Sequence, residues 1–203
     1  MIRHNYASTL PRRALRAAAV LTIGIASAAC GDTGSLLAPA NIENVTRTFS
    51  VYALTGSANS LPAAYRFTTE SLERPQLLAN GALNFDLAFD ITSDGRVRFL
   101  PARFVAPTPP AGAPSIGLQR MTGSFLALER APNKGFQVDS AVTVAIGETY
   151  TVQLANSGCI YGEPFYAKIT VDSVLLTERR MVMRSLINRN CGFLSLTNGL
   201  PKD

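Results

Sequence analysis

Asp90, Thr92, Asp94 and Gly95 set oxygen ligands at alternate positions ahead of a glycine, the arrangement of the first half of a calcium-binding loop. The second half does not follow. Pro101 stands where a bidentate glutamate should close the shell, and Arg96 brings a positive charge to where the cation would sit. A solvated hairpin tip explains these residues better. Asp86 and Asp90 have the types that glycoside hydrolysis uses. Four residues along a strand separate them by roughly 13 Å, however, and that chemistry needs roughly 5 to 10 Å. The expected role of Asp90 is cross-strand pairing with Arg98 in water. Carboxylates on different strands can still converge in space. No Gly-x-Ser-x-Gly elbow occurs, no lysine follows a serine at Ser-x-x-Lys spacing, and no glycine-rich phosphate loop is present. No catalytic or metal-ligating residue is assigned on these grounds, and no cofactor is expected.

Asp32-Thr33-Gly34-Ser35 resembles the active-site turn of aspartic proteases, in which two aspartates share a proton. That family needs an apolar strand leading into the aspartate and a second such turn. Here Cys30-Gly31 leads into it, and no second Asp-Thr-Gly or Asp-Ser-Gly exists. A flexible tether is the better reading.

The residues before that turn carry a clearer signal. Arg3, Arg12, Arg13 and Arg16 precede any acidic residue, and an uncharged run of 13 residues, 17–29, follows them. A basic region followed by a short apolar one is the pattern of a secretion signal, since a helix crossing the bilayer needs roughly 20 residues. The run ends in Ser27-Ala28-Ala29-Cys30, which resembles the lipobox of bacterial lipoprotein precursors. The resemblance implies cleavage before Cys30 and acylation of that cysteine as the new N-terminus. Ser27 stands where the family usually has an aliphatic residue. Ordinary cleavage in the same stretch is the alternative, and it would release a soluble protein.

Losing residues 1–29 changes the charge argument. The formal charge of +5 falls to about +1, because four of nineteen basic residues leave while all fourteen acidic ones stay. The high isoelectric point therefore does not support nucleic-acid binding. His4, the single histidine, goes too. With Cys30 assigned to lipid, Cys159 and Cys191 remain in a chain sent to an oxidising compartment, and they are expected to pair. Without histidine or a close second cysteine, a zinc site lacks ligands.

Residues 30–44 read as the acylated cysteine and its tether, and 45–203 as a single β-domain. Phe85, Leu87, Phe89 and Ile91 alternate with Asp86, Ala88 and Asp90. Ser93-Asp94-Gly95 then suits a three-residue hairpin loop, which sets Ile91 against Val97, Phe89 against Phe99 and Asp90 against Arg98. Asn80-Gly81 predicts a type I′ hairpin joining 76–79 to this strand. Phe49, Val51 and Ala53 mark another strand, and two more flank Gly147-Glu148. A last hairpin, 167–187, turns at Thr177-Glu178-Arg179, with Cys159 and Cys191 at its open ends. Residues 106–115 read as a surface loop that Pro107 and Pro110 stiffen, and 68–78 hint at helix interrupted by Pro75.

About eight short antiparallel strands predict an all-β sandwich, with a closed up-and-down barrel as the alternative. The expectation is a lipid-anchored envelope lipoprotein of non-enzymatic type, exported and held at a membrane, binding a protein partner or a small apolar ligand. The rival is a carboxylate-dependent envelope hydrolase acting on polysaccharide, which needs two acids meeting in a cleft, one with a raised pKa.

Overall fold

The hairpin read around Ser93-Asp94-Gly95 forms as expected in the computed structural model, which describes residues 38–202. Strand β4, Leu87–Ile91, pairs with β5, Val97–Pro101, and Ile91 faces Val97, Phe89 faces Phe99 and Asp90 faces Arg98. Thr92 N–H donates to Arg96 O at 2.9 Å across a three-residue loop, and Gly95 takes φ of 79° there. Glycine reaches that conformation without steric cost.

The other strands are β1, Thr46–Tyr52; β2, Ala64–Arg66; β3, Ser71–Glu73; β6, Ser115–Met121; β7, Gln137–Val138; β8, Val142–Val144; β9, Thr149–Ala155; β10, Phe165–Leu175; and β11, Arg180–Asn188. They form a six-stranded sheet in the order β1-β11-β10-β9-β6-β7 and a five-stranded one in the order β3-β2-β4-β5-β8. Every pairing is antiparallel. The two sheets stay separate, so the fold is a β-sandwich and not a closed barrel.

Eleven strands exceed the expected eight: β2, β3 and β7 have only two or three residues, too few to show a period, β6 lacks a clear period, and the strand expected at 76–79 forms only one bridge. The Asn80-Gly81 hairpin also differs from expectation. Leu78 N–H donates to Ala82 O across Ala79-Asn80-Gly81, and Gly81 has positive φ while Asn80 does not, so the loop has three residues and is not type I′. One bridge, Leu77 to Leu83, follows it, and the partner of β4 is β2. Residues 68–78 hold β3 instead of a helix, and a single helical turn, α1, occupies Ala102–Val105.

The apolar faces meet between the sheets. Tyr65, Phe67, Leu87, Phe89 and Phe99 from the smaller sheet lie in one buried cluster with Val152, Ile169, Met181 and Met183 from the larger. The larger sheet is covered on its other face as well. Phe125, Ala131 and Leu196, from segments 122–136 and 193–200, pack over Tyr166 and Leu186. Strands β9 and β10 are thus buried on both sides, and Lys168, which alternation would place in solvent, is only 4% exposed. Its Nζ donates to Phe125 O and Leu128 O, both at 2.8 Å, and lies 4.6 Å from the Phe125 ring centroid. These contacts replace lost hydration, while burial lowers the lysine pKa from its ordinary value.

The domain boundary lies earlier than residue 45. Asn41 and Ile42 donate their backbone N–H groups to Asn190 Oδ1, and Asn44 exchanges backbone hydrogen bonds with Gly199. Residues 41–44, which composition assigns to the tether, are therefore docked on the sandwich. Buried backbone groups need partners, and Asn190 supplies them. Cys159 and Cys191 form the expected disulfide, with Cα atoms 5.8 Å apart, across the open ends of the β10–β11 hairpin. The bridge spans 32 residues of sequence, and loop-closure entropy gives it about 3 to 4 kcal/mol. Replacing both cysteines with serine is expected to lower unfolding free energy by that amount in urea titrations, while far-ultraviolet circular dichroism stays that of a β-protein.

Candidate functional site

The structure scatters the oxygen ligands of the calcium-like motif. Asp94 accepts from Thr92 Oγ1 and pairs with Arg96 at 2.7 Å, which holds its carboxyl below the ordinary range. Asp90 turns away to accept from Thr55 Oγ1 at 2.9 Å and from the Arg179 guanidinium at 3.5 Å. The expected register between Asp90 and Arg98 is present, but the expected side-chain pairing is replaced. Arg98 lies over the Phe104 ring, and Arg179 reaches Asp90 from the β10–β11 turn. Among the described residues, no group of three or more His, Cys, Asp or Glu side chains could hold a metal ion.

Asp86 is the carboxylate with an unusual environment. It is 4% exposed, lies at the head of β4, and accepts the Phe67 N–H at 2.7 Å. Burial pushes its pKa up to about 6, against a lowering by the Phe67 N–H and the Arg66 charge, and Glu73 raises it further. A carboxyl of this kind can hold a proton near neutrality. It lines none of the surface grooves described below, and Glu73 is committed to Ser71 Oγ at 2.7 Å and to Asn84. The position suits anchoring of the turn after β2 more than proton transfer to a substrate.

A second cluster escaped sequence reasoning. Glu70 lies in the β2–β3 turn with φ of 54°, a left-handed conformation that non-glycine residues adopt at some cost. Arg47 of β1 grips its carboxylate, and Arg189, just past β11, approaches it at 3.3 Å. Two guanidiniums from the larger sheet thereby clamp a turn of the smaller one. Beneath them, Phe49 and Tyr65 stack with centroids 4.6 Å apart and planes 4° from parallel. The Tyr65 hydroxyl is buried beside Ser185, and burial raises the tyrosine pKa against a lowering by the serine hydroxyl. Val45, Arg47, Phe49, Tyr65, Glu70 and Leu72 line a groove of about 330 Å³ on this side, with Val45 and Leu72 exposed. No local motif marks these residues, because pairing of β1 with β11 and of β2 with β3 brings them together.

The cavities limit what the domain can hold. Leu83, Phe85, Ala102, Ala106, Pro109 and their neighbours surround a mostly apolar cavity of about 30 Å³, room for water but not for an apolar ligand, which takes roughly 300 Å³ or more. The larger concavities, this groove among them, are open surface grooves of about 330 to 730 Å³. Comparison with known proteins gives no match to any family, any curated protein or any solved structure. What the geometry defines is a disulfide-tied antiparallel sandwich with a mixed apolar and charged groove on the β1 and β3 side.

The Asp86 environment makes stability depend on pH. Its folded pKa lies above the unfolded value, so the folded state favours the proton and this residue destabilises the fold once ionised. That penalty is complete above pH about 6 and is relieved as pH falls toward 3.8. Asp86→Asn keeps an acceptor for Phe67 N–H and removes the charge. Its unfolding free energy minus that of the wild type is expected to rise between pH 4 and 6 by about 1.4 kcal/mol per pH unit, and to level off above pH 7. A difference that stays flat in chemical denaturation across this range would show that Asp86 is not desolvated.

Proposed function

We propose that this chain is an exported, lipid-anchored lipoprotein of the bacterial envelope whose sandwich works by binding a protein partner. The observation that carries the reading is the Cys159–Cys191 disulfide. A structural bridge fits an oxidising compartment outside the cytoplasm, and it leaves Cys30 as the third cysteine of the chain, placed after a small-residue stretch for acylation. The basic and apolar leader supports the same route.

Cavity size favours a protein partner over a small apolar ligand, since the mostly apolar cavity is about the size of a water molecule. The groove beside β1 has the composition of a binding centre. It offers the half-buried Phe49, backed by the buried Tyr65 stacked beneath it, with exposed Leu72 and Val45 and the Arg47 and Glu70 pair, and aromatic and arginine side chains dominate interface energetics. The free side of β1 is capped at both ends. Asn198 Oδ1 accepts Thr46 N–H at 2.8 Å and Pro62 O accepts Tyr52 N–H at 2.9 Å, which disfavours docking by simple strand addition.

Two measurements test this reading. Cys30→Ala is expected to move the protein from the membrane fraction to the soluble fraction of an expressing bacterium, and unchanged sedimentation with membranes would refute the anchor. A photo-cross-linking residue at position 72 is expected to give a discrete adduct in cells that Arg47→Glu reduces at least tenfold. A smear of adducts indifferent to Arg47 would argue against the groove as the binding surface.

A further inference from the structure

We infer that one end of the sandwich rests on the bilayer surface and that the turn Cys159-Ile160-Tyr161-Gly162 dips into its interface. This rests on the lipid anchor at Cys30 proposed above. Gly162 N–H donates to Cys159 O at 3.1 Å, which closes the turn, and the disulfide to Cys191 fixes its base. The two central side chains point outward. Ile160 is 92% exposed and Tyr161 80%, values high for neighbouring apolar residues in a stiffened turn. An aliphatic side chain beside a tyrosine is the pairing that membrane interfaces favour, because the ring sits at headgroup level with its hydroxyl in water.

The location of this turn identifies its occupant. Residues 41 and 42 dock on Asn190, next in sequence to Cys191, so the chain leaves the sandwich toward Cys30 beside the disulfide that holds the turn. Strand register places other connections at the same end. Thr46 pairs with Leu186, Tyr166 with Asn188 and Ser115 with Ala155, so the segments before β1 and β6 and between β9 and β10 lie together. Ten residues separate Cys30 from Asn41, and a chain of that length reaches at most roughly 35 Å when fully extended. The nine residues of β11 put the opposite end roughly 30 Å further away. An anchor at Cys30 therefore presents the near end to the membrane.

Charge is distributed to match. Segments 106–114 and 156–162 contain no charged residue, and Phe104 and Val105 of α1, exposed beside the first of them, add apolar surface. Arg103 of α1 is turned back onto Ala113 O and Pro114 O. Glu43 and Glu163 also lie at this end, with Asp139 paired to Arg103 at 3.7 Å and Glu70 held between Arg47 and Arg189, so the charges here are mostly tied in pairs set back from the turn. The far end carries Asp94 with Arg96, Glu178 with Arg180, Asp90 with Arg179, and Arg120 with Glu148. Exposed Leu176 and Ile146 at that end stand among these ion pairs, where burial in lipid would strip the charges of water.

The chain contains no tryptophan, so one introduced by Tyr161→Trp reports its own surroundings. The full lipidated chain carrying this substitution is reconstituted on vesicles of phosphatidylethanolamine and phosphatidylglycerol, with and without brominated acyl chains. The expected result is a blue-shifted emission that brominated lipid quenches at least twofold, while Leu176→Trp at the far end keeps water-like, unquenched emission. Vesicle flotation of each variant accompanies the spectra, and circular dichroism checks the fold. Water-like emission at position 161 on protein that floats with the vesicles overturns the inference and leaves the turn to a protein partner. Failure of the unsubstituted chain to float overturns the anchor reading instead.

Discussion

Contact between the two apolar sheet faces is the interaction on which the other features rest. Phe89 and Phe99 meet edge to face with centroids 5.5 Å apart, Phe99 meets Tyr150 at 5.7 Å, and Met181, Met183 and Ile169 fill the space around them. Each such side chain contributes about 1.5 to 3 kcal/mol when it leaves water, and their sum offsets the entropy lost by a chain ordered into short strands. With the interior filled by rings and methyl groups, little room remains for a ligand. The side chains available for recognition are those that the sheets push outward at edges and ends.

Arginines then fix the two layers relative to one another. Arg179 takes φ of 50° and donates to Thr55 O at 2.8 Å and Ile91 O at 2.7 Å, joining the β10–β11 turn of the larger sheet to the smaller one. Arg47 and Arg189 do the same through Glu70 toward the opposite end. A guanidinium suits this work because its fork of donors reaches several acceptors while its charge stays near water. Lys168 has a different task. Its ammonium gathers two carbonyls of the 122–136 segment and so seats a second apolar layer on the outer face of the larger sheet.

The two ends of the molecule differ as a result. Ion pairs crowd the end with the tight hairpins, whereas at the end where residues 41–44 dock the ion pairs of Glu70 and of Arg103 with Asp139 stand beside uncharged proline-rich and glycine-rich connections. The disulfide stands at that second end, where the β10–β11 hairpin would otherwise fray, and ties it to the segment through which the chain joins the rest of the sequence. A polar, mixed surface on the β1 side and an uncharged turn beside residues 41–44 are the features on which the proposed anchored binding module rests. Neither depends on a reacting group.

The sequence by itself determined the local pairings. Alternation in 85–91 and the Ser93-Asp94-Gly95 loop sufficed for the β4–β5 register, because a slip of one residue would have put Phe89 and Phe99 in water. Cysteine positions at the open ends of a second hairpin sufficed for the disulfide. Only the tertiary structure decided the layers. Strand β6 shows no clear alternation because the 122–136 segment covers its outer face, and Gly117 sits there because a Cβ would meet Phe136 at 2.8 Å. Lys168 and Asp86 look solvated in the sequence and are buried in the fold, and Glu70 gains its partners from residues 23 and 119 positions away. The physical reason is range: a two-residue period reports the faces of one strand, whereas what lies against those faces depends on segments distant along the chain.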